Sequence, residues 1–232
     1  MAILAVSSNR FSTAVKYELA PEVRFCRDVL TVHDIAQTMV VGAVLGKYID
    51  TPTAAAVAGT NTGNGVMGAI TMTSNASLQL GVYSLRIVTA ATSAGDFELL
   101  DPQGKLVGIG HVAAAFNQGG FSFTLATGAT SFVVNDTFAI TVSGTEKYKL
   151  VDATAVDGSQ VAKAVYIADN AGNSGDVAIA LNTDTTVLAL TRGPVVVADA
   201  GLSYAATVNT TPLKNALYAQ LKAVGIIVET AN

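Results

Sequence analysis

Between residues 11 and 20 the chain keeps a two-residue rhythm, in which Phe11, Thr13, Val15, Tyr17 and Leu19 alternate with Ser12, Ala14, Lys16, Glu18 and Ala20. That period belongs to a strand with one apolar face, and it predicts extended backbone rather than helix. Pro21 interrupts the run, and Val23 and Phe25 resume it. No tight turn joins this segment to a neighbouring strand. Two outcomes are open at this level: the strand pairs within its own domain, or it adds to the sheet edge of another protein. Residues 1–10 show no periodicity and are expected to lack fixed structure.

Short strands parted by turn residues continue through most of the chain. Val29, Leu30 and Val32, then residues 39–49, read as β, with Gly42 and Gly46 marking bends or bulges. Residues 51–65, TPTAAAVAGTNTGNG, have the composition of a flexible linker. From 66 to 142 the pattern changes, and strands are expected at 66–73, 82–90, 97–100, 106–116, 121–126 and 132–142. Asp101-Pro102-Gln103-Gly104 has the chemistry of a type I turn, and Asn135-Asp136 that of a tight hairpin turn. Most of the phenylalanines lie in this stretch, enough for the core of a small sandwich or barrel.

After Ser143-Gly144 the Val- and Ala-rich pattern of residues 29–49 returns, with strands expected at 147–151, 161–168, 177–181, 187–191 and 195–198. One helix stands out. Thr211 suits the N-cap and Pro212 the first position, Leu213, Leu217 and Leu221 form a stripe with Ala216 and Val224, Lys222 sits in the last turn, and Gly225 follows the end. Ile226-Ile227-Val228 closes the chain as a strand.

Half of the residues are hydrophobic, mostly Ala and Val, while only 13% are charged and Trp is absent. A surface so poor in charge implies that much of it meets other protein. The net charge is −4 and no Lys/Arg cluster occurs, so nucleic acid lacks the basic footprint it needs. No apolar run reaches the length of a membrane-spanning helix. The first residues lack the basic start of a secretory signal, and the chain is expected to be made and assembled in a cytoplasm. The single Cys26 permits no internal disulfide and is expected to be a buried hydrophobe.

Features that imitate active sites fail on context. Gly63-Asn64-Gly65-Val66-Met67-Gly68 spells a dinucleotide fingerprint, but an alternating, β-branched run follows it, and no acidic residue appears before Asp96. His33 and His111 lie far from any nucleophile motif, and two histidines with one cysteine make a poor zinc set. The loop with Asp169, Asn173 and Asp176 lacks EF-hand spacing, since Ala171 takes the third position. No catalytic residue, cofactor or metal is expected, and an enzyme is not.

Several flanking segments resemble one known family. Val41-Gly42-Ala43-Val44-Leu45-Gly46-Lys47 resembles the "G-x-V-L-G-K" element of the lambda-type phage head decoration proteins. Lys147 to Asp152 with Asp157-Gly158-Ser159, then Val165 to Asp169, Leu190 to Pro194, and the closing helix with Leu221 to Ile227 follow in that family's order. The middle departs from the pattern and is similar to a β insert of other phage structural proteins. The resemblance implies a mainly β, β-clip or β-tulip fold with one C-terminal helix, interrupted by an inserted small β-sandwich or barrel-like domain. It divides the chain into an arm (1–27), a decoration domain in two parts (28–59 and 144–232) and an insert (60–143). It implies a structural protein on the outer surface of the virion, trimeric at three-fold positions, whose partner is the major capsid protein. The arm residues that carry binding would be Phe11, Thr13, Val15, Tyr17, Leu19, Val23 and Phe25. The rival reading is a tail or adhesin module whose insert binds a host-surface receptor or glycan.

Overall fold

The computed structural model describes residues 11–33, 37–90 and 95–230. The expectation for residues 1–10 falls outside them. The chain divides into two compact units, one made of residues 1–48 with 146–232 and the other of 49–145.

The first unit opens with a single helical turn, α1 (Phe11–Ala14), followed by the strands β1 (Val15–Glu18), β2 (Arg27–Val32) and β3 (Gln37–Met39). Strand β4 (Val44–Ala58) leads into the second unit. There the chain forms β5 (Thr71–Met72), β6 (Gly81–Thr89), β7 (Asp96–Leu100), β8 (Leu106–His111), β9 (Ala115–Gln118) and β10 (Phe121–Thr124). The long β11 (Thr137–Leu150) returns it. Then come β12 (Ala162–Asp169), β13 (Val177–Ile179), β14 (Thr185–Leu190), β15 (Val195–Ala198), the helix α2 (Thr211–Ala223) and β16 (Ile226–Glu229). The fold is mainly β with one long helix near its C-terminus.

In the first unit β2, β14, β12, β4 and β11 are neighbours in that order, and Tyr148 of β11 bridges back to Val32 of β2. The five strands therefore close on themselves, which removes the exposed edges of an open sheet. Strand β12 is its most hidden element, with Ala164 to Ala168 all buried. Helix α2 lays Leu217 and Leu221 on this core. Its N-cap is Thr210, one residue before the expected Thr211, and Gly225 at φ +84° ends it as a left-handed C-terminal residue.

The second unit places the antiparallel β11-β6-β7-β8 sheet against the smaller β5-β10-β9 sheet. Phe97, Phe116 and Phe123 meet between them, their ring centres 4.9 to 6.0 Å apart. The expected Asp101 to Gly104 turn is present. The Asp101 carbonyl accepts the Gly104 N–H, its side chain accepts from Gln103 and Lys105, and Gly104 takes φ +80°.

Four expectations are corrected. Residues 51–58 continue strand β4 instead of forming a linker, because small β-compatible side chains suit an extended strand as well as a flexible one. Residues 106–116 are not one strand: they fold back after His111 through Ala113 at φ +65°. The strands expected at 132–142 and 147–151 are replaced by one, since β11 runs unbroken from Thr137 to Leu150 through Gly144. Only Thr71–Met72 of the run 66–73 is a strand. The dinucleotide-like glycines serve packing instead: a Cβ on Gly63 would come within 2.6 Å of Phe132, and one on Gly65 within 2.3 Å of the Ala126 carbonyl oxygen.

Asp136 ties the loops of the second unit together. Its buried carboxylate accepts N–H groups from Thr62, Gly63 and Val133 at 2.9 to 3.0 Å. Burial pushes its pKa up, and the three donors outweigh burial, leaving it below the usual carboxylate value. Replacing Asp136 by Ala is expected to destabilise this unit by about 2–4 kcal/mol in urea unfolding. Because the folded pKa is depressed, the stability Asp136 contributes is present above the unfolded value of about 3.9 and fades as pH falls through the folded one.

Candidate functional site

The N-terminal segment is strapped to its own unit. Strand β1 pairs antiparallel with β15, and β15 pairs in parallel with β16, giving a three-stranded sheet in which β1 is an edge. The register fixes the faces. Val15 lies opposite Val197, but Tyr17 lies opposite Val196, so Lys16 is the extra residue of a β-bulge. Strict alternation would place Val15 and Tyr17 on one face. The bulge instead turns Val15 inward and Tyr17 outward.

The seven residues expected to bind a partner are therefore divided. Phe11 and Thr13 lie on α1 and not in a strand, Phe11 half-buried with Arg27 above its ring at 5.2 Å and Thr13 exposed. The turn packs Ala14 closely on Gly201, where a Cβ on Gly201 would stand 2.6 Å from the Ala14 Cα. Val15 is buried in the sheet. Tyr17, Leu19, Val23 and Phe25 are exposed, by 51%, 39%, 70% and 46%. The structure also joins Tyr17 to residues the sequence did not single out. Tyr17, Val196 and Ile227 occupy one row across the three strands and line a shallow surface groove flanked by Lys16 and Glu229. The outward position of Ile227 could be read from Ile226–Glu229 alternation, but its meeting with Tyr17 depends on strand register alone.

Polar contacts hold the segment in place. Glu18, nearly enclosed with its side chain 4% exposed, receives two hydrogen bonds from Arg27, Nε to Oε1 at 2.7 Å and Nη2 to Oε2 at 2.6 Å. The hydrogen bond to Glu18 raises the Arg27 pKa above its ordinary value. Arg192 donates through Nε to the Phe25 carbonyl and through Nη1 to Asp28, each at 2.6 Å, and lies 5.9 Å from the Phe25 ring centre. Thr191 also donates to Asp28, at 2.5 Å. Cys26, fully buried, points its thiol at the Leu19 and Pro194 carbonyls.

Three further polar clusters pair as follows. His33 pairs with Asp184, which also takes Lys147 at 2.8 Å. His111 pairs with Asp96, whose other oxygen accepts from Thr89. Asp169 accepts from both the backbone and the side chain of Asn173, which closes that loop on itself. Among the described residues no three His, Cys, Asp or Glu side chains converge as a metal set.

The Asp28 pKa lies below its ordinary value, first through the Thr191 hydrogen bond and then through Arg192. Substituting Arg192 by Leu is expected to move the Asp28 titration upward, read by carboxyl NMR shifts across pH 2–6. Since Asp28 is 43% exposed, the lost stability above the unfolded pKa should stay below about 1 kcal/mol and vanish as pH falls through the folded pKa.

Comparison with known proteins adds the family. No curated protein matches the chain. Among solved structures, two crystal forms of Xanthomonas campestris FlgL align with 46–47% of this chain at 23–24% identity and TM-scores of 0.32 and 0.33. The flagellar junction protein FlgL from Legionella pneumophila aligns with 46% at 11% identity and a TM-score of 0.33. The matched region spans only 33–38% of those chains. A family model described as bacteriophage lambda head decoration protein D matches residues 6–226. With its sequence matched over nearly its whole length, this chain belongs to the bacteriophage lambda head decoration protein D family.

Proposed function

We propose that the protein binds the outer surface of a tailed-phage head as a homotrimer at three-fold positions and stabilises the shell, with residues 11–25 engaging the major capsid protein. Its family supports the capsid decoration role itself, which is structural and not enzymatic. One observation supports the engagement of residues 11–25: β1 is an edge strand, and Tyr17 within it and Leu19, Val23 and Phe25 after it stay exposed. An exposed edge beside apolar side chains is what strand addition uses: main-chain hydrogen bonds supply affinity and side-chain pockets supply specificity.

Three such segments on one trimer would bind with avidity, because each contact after the first is intramolecular. A ligand that binds the assembled lattice and not dispersed subunits stabilises the lattice by mass action. Synthesis in the host cytoplasm and assembly onto the finished shell fit this role.

The test is co-sedimentation with expanded, undecorated shells. Wild-type protein is expected to sediment with them, and a chain lacking residues 1–25 is not. Val23→Asp with Phe25→Asp should weaken binding at least about tenfold, since each buried apolar side chain contributes roughly 1.5–3 kcal/mol. Binding of the doubly substituted chain at wild-type affinity would exclude these residues from the interface. Sedimentation equilibrium of the free protein reads the trimer.

A further inference from the structure

We propose that residues 11–25 form a stored docking strand, latched on the body by the Glu18–Arg27 clasp and hinged at Ala20 and Arg24. This rests on the docking reading above and adds to it a closed state and the parts that hold it.

The hinge is visible in the backbone. Ala20 and Arg24 adopt φ +47° and +54°, a left-handed conformation that side chains with a Cβ disfavour. They bracket the short 3-10 turn Pro21–Val23, so two strained residues stand where β1 joins β2. Strain of this kind persists only where the surroundings enforce it. Here the enforcing contacts are identifiable, and the Arg192 hydrogen bond to the Phe25 carbonyl is one of them. Leu19 donates its N–H to the Pro194 carbonyl, the Cys26 thiol reaches the Leu19 and Pro194 carbonyls, and β1 itself is four residues long with a bulge inside it.

The latch is the bidentate Glu18–Arg27 pair. Glu18 lies on β1, before the hinge, and Arg27 begins β2, after it. The pair therefore spans the hinge and can form only while the segment is folded back. Charge-assisted, two-pronged hydrogen bonds are among the strongest side-chain contacts available. The same Arg27 covers the Phe11 ring, so one side chain holds the segment at both Phe11 and Glu18. A strained connection that the clasp helps to close has two states: folded back on β15, or released with its strain relieved. A capsid edge that offers β1 new backbone partners draws it into the released state.

The test uses the full chain in three forms: wild type, Glu18→Gln and Ala20→Gly. Glu18→Gln keeps the shape of the clasp and removes its charge. Ala20→Gly relieves the hinge in the closed state. Hydrogen exchange is followed at residues 15–19, with the amides of β12 and β14 as the reference for global opening. Exchange at 15–19 should rise about tenfold in Glu18→Gln, and fall roughly threefold in Ala20→Gly, with the reference amides unchanged. Association with undecorated shells should follow the same order. Exchange at 15–19 that matches the reference amides in all three chains, or that ignores both substitutions, overturns the latch. Wild-type protein that fails to bind shells overturns the docking reading and the release step with it. Shells bound at one rate by all three chains, with the exchange order intact, remove release from the docking pathway and so overturn its role.

Discussion

The sheet that carries β1 depends on one backbone contact, where Gly193 lies against Gly225. A Cβ on Gly193 would stand 1.8 Å from the Gly225 carbonyl oxygen, so only glycine permits the approach. There the Gly193 N–H meets the Val224 carbonyl and the Val195 N–H meets that of Gly225. These contacts start the parallel pairing of β15 with β16 and set its register. That register puts Val196 beside Ile227, and β15 then has one edge left, which β1 takes. The groove, the edge strand and the strap on the N-terminal segment all follow from two chains brought to backbone contact.

Glycine plays a related part in the second unit, at the opposite scale of side chain. Gly110 leaves room for Phe97 and Phe116, since its Cβ would come within 2.3 Å of one ring and 2.8 Å of the other. Large rings and absent side chains are complementary, so the few aromatic residues of this unit interlock in its core. Asp136 does the corresponding polar work by taking three backbone N–H groups that no strand uses.

Much of the fold was legible. Helix α2 was readable from its proline, its leucine stripe and its terminal glycine, and the Asp101 to Gly104 turn from its residue order. The family was readable because its motifs recur in order on both sides of the middle region. The candidate site was less so. Val23 and Phe25 are exposed, but Val15 is hidden and Phe11 and Thr13 are helical. A rhythm of two says which side chains share a face only while pairing stays regular, and the bulge at Lys16 breaks it. Nothing local marks that bulge. It arises from how β1 meets β15, about 180 residues away along the chain.

The residues alone determined a mainly β chain, its turns, its one long helix, its poverty of charge and its family. Those properties come from local conformational preference and composition, which act over a few neighbouring positions. Tertiary structure alone decided that the N-terminal strand rests on its own body, that Glu18 meets Arg27 across a strained turn, and that Tyr17 joins Val196 and Ile227. These depend on strand register and on contacts between distant segments, where a shift of one residue exchanges the buried face for the exposed one.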